Sequence, residues 1–252
     1  MSPQTSFTRD RFTWLAYFAL AYFAYVQATL GPLMPFLRDE LGMSYTVSGL
    51  HLSAFAAGQV VAGAASDSLA RRWGRRAIFW LGGGGMALAA LLFTVGQRPA
   101  LTIGSALLLG LPGGLLLAMI QSSLSARHGE QRAVALTESN IAASIAAGLA
   151  PLAVGSLERV GIGWRGALVA GALAWIALGA VYRSAPFPAR GAAPTAPATH
   201  SRRPCLPAAY WVLWGVVFLC VSVEWSVVFW GTDFLEKNVG LSKVNASTLM
   251  SV

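Results

Sequence analysis

Between Asp67 and Arg76 the chain packs one carboxylate and four guanidiniums (Arg71, Arg72, Arg75, Arg76) into ten residues, also holding Gly74. Apolar runs flank this stretch, His51 to Ala65 and Ala77 to Val95. Charge this dense cannot lie in hydrocarbon, so Gly63 to Arg76 is expected to be a short turn at a membrane surface. Loops rich in Lys and Arg are held on the cytoplasmic side, so the same stretch orients the molecule. Its arginines are then either topology determinants or members of a gate. The other place for chemistry is Glu224, inside an apolar run between Val223 and Trp225. An intramembrane carboxylate is costly unless it faces a cavity or a partner. It therefore suits a group that loads and releases a proton, or a structural carboxylate bonded to a neighbouring span. Gln27, with Tyr22 and Tyr25 nearby, places a neutral hydrogen-bonding group at mid-membrane depth, as a substrate contact or as interhelical glue. Trp225 joins these as a candidate, against a packing or aromatic-belt role.

These residues must be positioned by membrane-spanning helices. The chain has 252 residues, 56% hydrophobic and 11% charged, where soluble domains carry about 25% charged residues. A net charge of +8 does not imply a nucleic-acid partner, because the basic residues sit in short loops between spans. Spans are expected at about 12–36, 45–66, 77–97, 101–124, 133–157, 164–182 and 208–231, all helical, since about 20 residues suffice to cross a bilayer. Gly110-Leu-Pro-Gly-Gly114 is expected to loosen the fourth. In the second, His51 and Gln59 lie within about 80° of each other on one face. Glu138 and Asn140 open the fifth and suit a capping or gating role. Cys220, inside the seventh, is expected to be packed.

From Arg183 to Pro207 the composition turns to Pro, Ala, Arg and Ser, an irregular linker. The domain reading is thus a six-span bundle over 1–182, a cytoplasmic linker over 183–207, and the start of a second bundle over 208–252. The chain stops at Val252 within what reads as the opening of an eighth span, as a C-terminally truncated chain would. Of eighteen basic residues, only Arg38, Arg98, Arg159, Arg165, Lys237 and Lys243 fall in loops expected outside. The excess inside places the N-terminus in the cytoplasm of a multi-pass cell (inner) membrane protein. An internal repeat supports two halves. Phe36-Leu37, Gly42 and Ser44 recur as Phe234-Leu235, Gly240 and Ser242, at a constant offset of 198 residues. Both copies fall where an odd-numbered span leaves the membrane, as in two parallel repeats.

The small residue, acid, glycine and paired arginines at Gly63, Asp67, Gly74, Arg75 and Arg76 resemble the loop 2–3 signature of the major facilitator superfamily of secondary transporters. Here Gly74 lies seven residues after Asp67, where the common spacing is three; the four extra residues add about one helical turn. The resemblance spans essentially the whole chain. It implies an all-α, polytopic bundle, here a six-helix half and the first helix or two of the second. It also implies alternating access to a central cavity with no cofactor, and a cytoplasmic gate at Gly63, Asp67, Arg71, Arg72, Gly74, Arg75 and Arg76. By that analogy Asp67 would pair with an Arg or a helix N-terminus. Arg75 and Arg76 would hold the gate or anionic headgroups.

No charged residue lies between Leu101 and Leu124, whereas drug–proton antiporters of the superfamily carry an Arg in span 4. Their Gly-Pro pair in span 5 is met here only by Ala150-Pro151. A metabolite or sugar importer coupled to protons is therefore favoured over an efflux antiporter, with a non-transporting receptor or scaffold as the third reading. An enzyme is not expected, nor a metal site: the three His, at 51, 128 and 200, are scattered. The expected partners are a small-molecule substrate, protons and the lipid bilayer, with a monomer at full length.

Overall fold

The computed structural model describes residues 7–188 and 207–251. Its helices are α1 (Arg11–Leu41), α2 (Tyr45–Trp73), α3 (Arg75–Thr94), α4 (Pro99–His128), α5 (Arg132–Arg159), α6 (Arg165–Tyr182), α7 (Ala208–Lys237) and α8 (Lys243–Leu249), with a single 3-10 turn at Gly129–Gln131. Six stretches are long and apolar enough to cross a bilayer, α4 and α5 counting as one continuous run. The linker expected at 183–207 falls mostly outside the described residues.

The helix ends follow local chemistry. Asp10 caps α1, its carboxylate accepting from the Thr13 amide at 2.9 Å. Ser44 caps α2. Pro99 starts α4, where its missing N–H costs nothing. Two expectations need correction. The charged stretch after Gly63 is not a turn: α2 continues as helix through Trp73, and only Gly74 breaks it. Gly74 has φ 84° and ψ 149°, a region essentially reserved for glycine. It ends α2 and begins α3 in one residue, so the extra turn inferred from the spacing is added helix. Nor do the glycines of α4 loosen it. The helix is continuous through Pro112, and Gly110 instead lets α2 touch. A Cβ at Gly110 would lie 1.9 Å from the Phe55 carbonyl oxygen, and one at Gly58 would lie 2.5 Å from that of Leu107. In lipid, helices associate through such close backbone approach rather than through a hydrophobic driving force.

Helix α2 packs on α4, α3 on α4 and α6, and α1 on α5. The interior is aromatic: Tyr22, Phe79, Trp80 and Trp175 meet with ring centroids 5.0–5.9 Å apart. Outward faces carry Val60, Val61, Leu81 and Ile176, all exposed, as suits surfaces turned to lipid chains. Helix α7 joins only at one end of the bundle, the far end, which holds Leu41 and Lys237. Its buried residues are Phe229, Thr232 and Asp233, and Cys220, expected to be packed, is exposed.

Candidate functional site

A cavity of about 470 Å³ lies between α1, α2 and α7. Gln27 enters from α1, Phe55 and Gln59 from α2, and Trp214, Phe218, Ser222 and Trp225 from α7. The α7 residues recur at three- and four-residue spacing, one stripe of a helix. Glu224 lies about 90° from the centre of that stripe and about 20° from Val217, at its edge. It is exposed and has no ion pair or hydrogen bond among the described residues. Of the expected site residues, the fold therefore brings Gln27 and Trp225 together, with Glu224 at the margin. Tyr25 is not among them. Two residues before Gln27, it is turned about 200° around α1 and donates to the Ala167 carbonyl at 3.0 Å. It lines a different, larger and mostly apolar cavity of about 540 Å³ between α1, α5 and α6. The Tyr22 hydroxyl there also donates, to the Gly83 carbonyl at 3.3 Å.

His51 is fully buried against α4, with Nε2 2.8 Å from the Thr102 hydroxyl and Nδ1 3.1 Å from the Val47 carbonyl. It is a packed polar group. Gln59, on the same helix, is the unassigned member of the site: its Nε2 is buried with no hydrogen-bond partner.

The cavity is closed at the far end. A Cβ on Gly31 would lie 2.2 Å from the Val228 carbonyl oxygen, so the α1 and α7 backbones touch. Above this contact Arg38, 6% exposed, is ion-paired with Asp233. It lies 3.9 Å from Glu236 and 4.6 Å above the Tyr45 ring. Lys243 pairs with Asp39, and Arg165 binds Glu40 at 2.5 and 2.9 Å. Helix α8 completes the closure, with the Ser247 hydroxyl donating to the Pro151 carbonyl at 2.9 Å. None of this latch was singled out from sequence. Its one signal is that Arg38 and Glu236 occupy equivalent positions of the repeat.

At the opposite, near end, α7 stands apart, exposed over most of Tyr210 to Val223. There Arg9 holds Glu138 at 2.5 and 2.8 Å, and Tyr17 donates to Glu138 at 2.9 Å. Glu138 thus ties α1 to α5 rather than capping α5, while Asn140 donates to the Leu136 carbonyl at 2.9 Å. Arg127 holds Asp10 at 2.5 and 2.8 Å. Burial pushes the Asp10 carboxyl up, but the Thr13 and Arg127 hydrogen bonds outweigh it and hold the group below its usual range. In the loop 2–3 stretch, Arg76 donates to the Arg183 carbonyl at 2.5 Å and lies 5.9 Å from the Phe187 ring, capping the end of α6. Arg71 reaches the Ser68 hydroxyl at 3.3 Å. Arg72 and Asp67 are exposed, and Asp67 has no ion pair among the described residues. Gly63 faces open space.

The structure is a bundle of apolar helices around a cleft, closed at one end by paired charges, as in a polytopic membrane protein. The Major Facilitator Superfamily model matches residues 13–252, and the chain belongs to that family. No curated protein sequence matches it. Among solved structures it is similar to a D-xylose–proton symporter, with TM-score 0.72 and 13% identity over 96% of this chain and 64% of that one. It is also similar to a peptide transporter of the POT type (an E310Q mutant in complex with sulfate), with TM-score 0.58 and 16% identity over 98% of this chain and 50% of that one. The chain thus spans between half and two thirds of the length of these structures.

Proposed function

We propose that this chain supplies the first half, and the opening of the second, of a transporter that moves a small solute by alternating access, driven by protons. The reading rests on the asymmetry of the cleft. Among the described residues the far end is latched by Arg38–Asp233, and α7 packs against α1 only towards that end. With the N-terminus in the cytoplasm, as the basic-residue bias favours, this is an inward-open arrangement in an inner membrane. Asp67 and Arg72, without partners among the described residues, become gate residues that engage when the near end closes. Glu224, at the cavity edge, is the proton-coupling group, and import is favoured over efflux for want of the antiporter features in spans 4 and 5. The full-length protein acts as a monomer, since each bundle of such a fold supplies half of one cavity.

The test is solute uptake into proteoliposomes containing the full-length protein. An inward-directed proton gradient should drive accumulation, and Glu224→Gln should abolish accumulation while sparing exchange of solute across the membrane. Accumulation by the Glu224→Gln protein at the wild-type level would remove Glu224 from coupling.

A further inference from the structure

Gln27 and Gln59 reach the same cavity from different helices, and neither carboxamide forms a hydrogen bond among the described residues. The Gln59 Nε2 is buried as well. Nearly all buried polar groups in folded proteins are satisfied, so this amide is poised to turn toward the cavity, where the Gln59 Oε1 and the Gln27 carboxamide already lie accessible and unbonded. The Ser222 hydroxyl donates to the Phe218 carbonyl at 2.7 Å, which leaves its oxygen as an acceptor. The remaining walls are apolar. Phe55 and Trp225 face the space, and Trp214 stacks on Phe218 with centroids 5.6 Å apart and planes 12° apart.

Among the described residues no Asp, Glu, Lys, Arg or His lines this cavity. On the wall this chain supplies, a solute therefore meets hydrogen-bonding and aromatic groups rather than a counter-charge, and a charged solute gains nothing there to offset its desolvation. Each carboxamide presents two donors and an acceptor oxygen, a match for hydroxyls, which both donate and accept. Aromatic faces suit the C–H face of a saturated ring. A volume near 470 Å³ lies in the lower part of the range for small-molecule sites, about 300–1,000 Å³.

We infer that this cavity binds an uncharged, multiply hydroxylated ring solute, of the monosaccharide or cyclitol class. Gln27 and Gln59 are its hydrogen-bonding contacts and Trp225 is its stacking surface. The inference rests on the transport reading for its physiological meaning, but binding is measured separately.

The experiment follows intrinsic tryptophan fluorescence of the full-length protein in liposomes, titrated with D-glucose, myo-inositol, gluconate and glucosamine, which share size and hydroxyls but differ in charge. Glucose or inositol is expected to quench saturably, with gluconate and glucosamine at least tenfold weaker. Gln27→Leu and Gln59→Leu, similar in volume, should each weaken binding about tenfold or more. Gln59→Glu should shift preference toward glucosamine, a gain that a misfolded variant could not produce. Equal binding of the charged members, no saturable quenching by either neutral one, or unchanged binding in both Leu variants would overturn the inference. Solute exchange separates the two readings. Neutral solutes that bind but do not exchange refute transport and leave the site standing; exchange of gluconate alone refutes the site and leaves transport standing.

Discussion

Replacing Arg38 by Gln should open the far end of the cleft. Arg38 is 6% exposed and its partner Asp233 8%. The neighbouring charges balance: Arg38, Lys237 and Lys243 against Asp39, Asp233 and Glu236. Without Arg38 the seam carries an unbalanced negative charge, and Asp233 is left buried without its cation. Breaking one partner of a buried pair costs about 3–5 kcal/mol, although the intact pair need not stabilise the seam by that much. The cost falls only on the closed seam, because opening hydrates Asp233. A shift of about 3 kcal/mol changes the ratio of open to closed molecules roughly a hundredfold. The assay places a cysteine at Thr232, which is fully buried in the seam, in a background with Cys205 and Cys220 replaced by Ser, and follows its maleimide labelling in membranes. Labelling should accelerate by about two orders of magnitude in Arg38→Gln. The exchanged pair Arg38→Asp with Asp233→Arg should bring the rate back toward wild type. A rate within threefold of wild type would refute the latch, as would an exchanged pair that labels no more slowly than the single variant.

Two further outcomes follow from the packing and the charges. Gly110→Ala sets a Cβ 1.9 Å from the Phe55 carbonyl oxygen, a backbone atom that cannot swing aside, so it should cost about 3 kcal/mol. Gly63→Ala, facing open space, should be neutral, and detergent melting of the two variants compares them. Asp10, whose carboxyl is held below its usual range in the fold, contributes stability that is fully present above the unfolded value of about 3.9 and is lost as pH falls through the folded value. Asp10→Asn should therefore melt below wild type at pH 7, with the gap narrowing on acidification below about pH 4; a pH-independent gap would refute the linkage.

The helices could be read from sequence because apolar length sets them, and Asp10, Ser44 and Pro99 mark their starts. The break between α2 and α3 was legible as charge but misplaced, because lateral charge density does not say whether a helix ends. The backbone conformation at Gly74 does. Which side of a helix meets the cavity was only partly legible. Gln27 and Tyr25 differ by about 200° around α1, and no periodicity within a uniformly apolar span tells the two sides apart. Gln59 and the Arg38 latch were missed for the same reason: each acquires its meaning from a helix far away in the chain.

The repeated nine residues at the ends of α1 and α7 have a backbone counterpart. Gly42 and Gly240 both adopt positive φ, 60° and 78°, and Ser44 and Ser242 cap the helices that follow. Within this shared frame the charges are inverted. Arg38 corresponds to Glu236, and Asp39 to Lys237, at the offset of 198 residues, and Arg38 meets Glu236 at 3.9 Å. Two identical copies of the segment facing each other across a twofold axis would bring arginine against arginine and aspartate against aspartate. The seam is therefore a lock whose halves share a shape but have opposite polarity. One half of the seam thus recognises the other and repels its own duplicate.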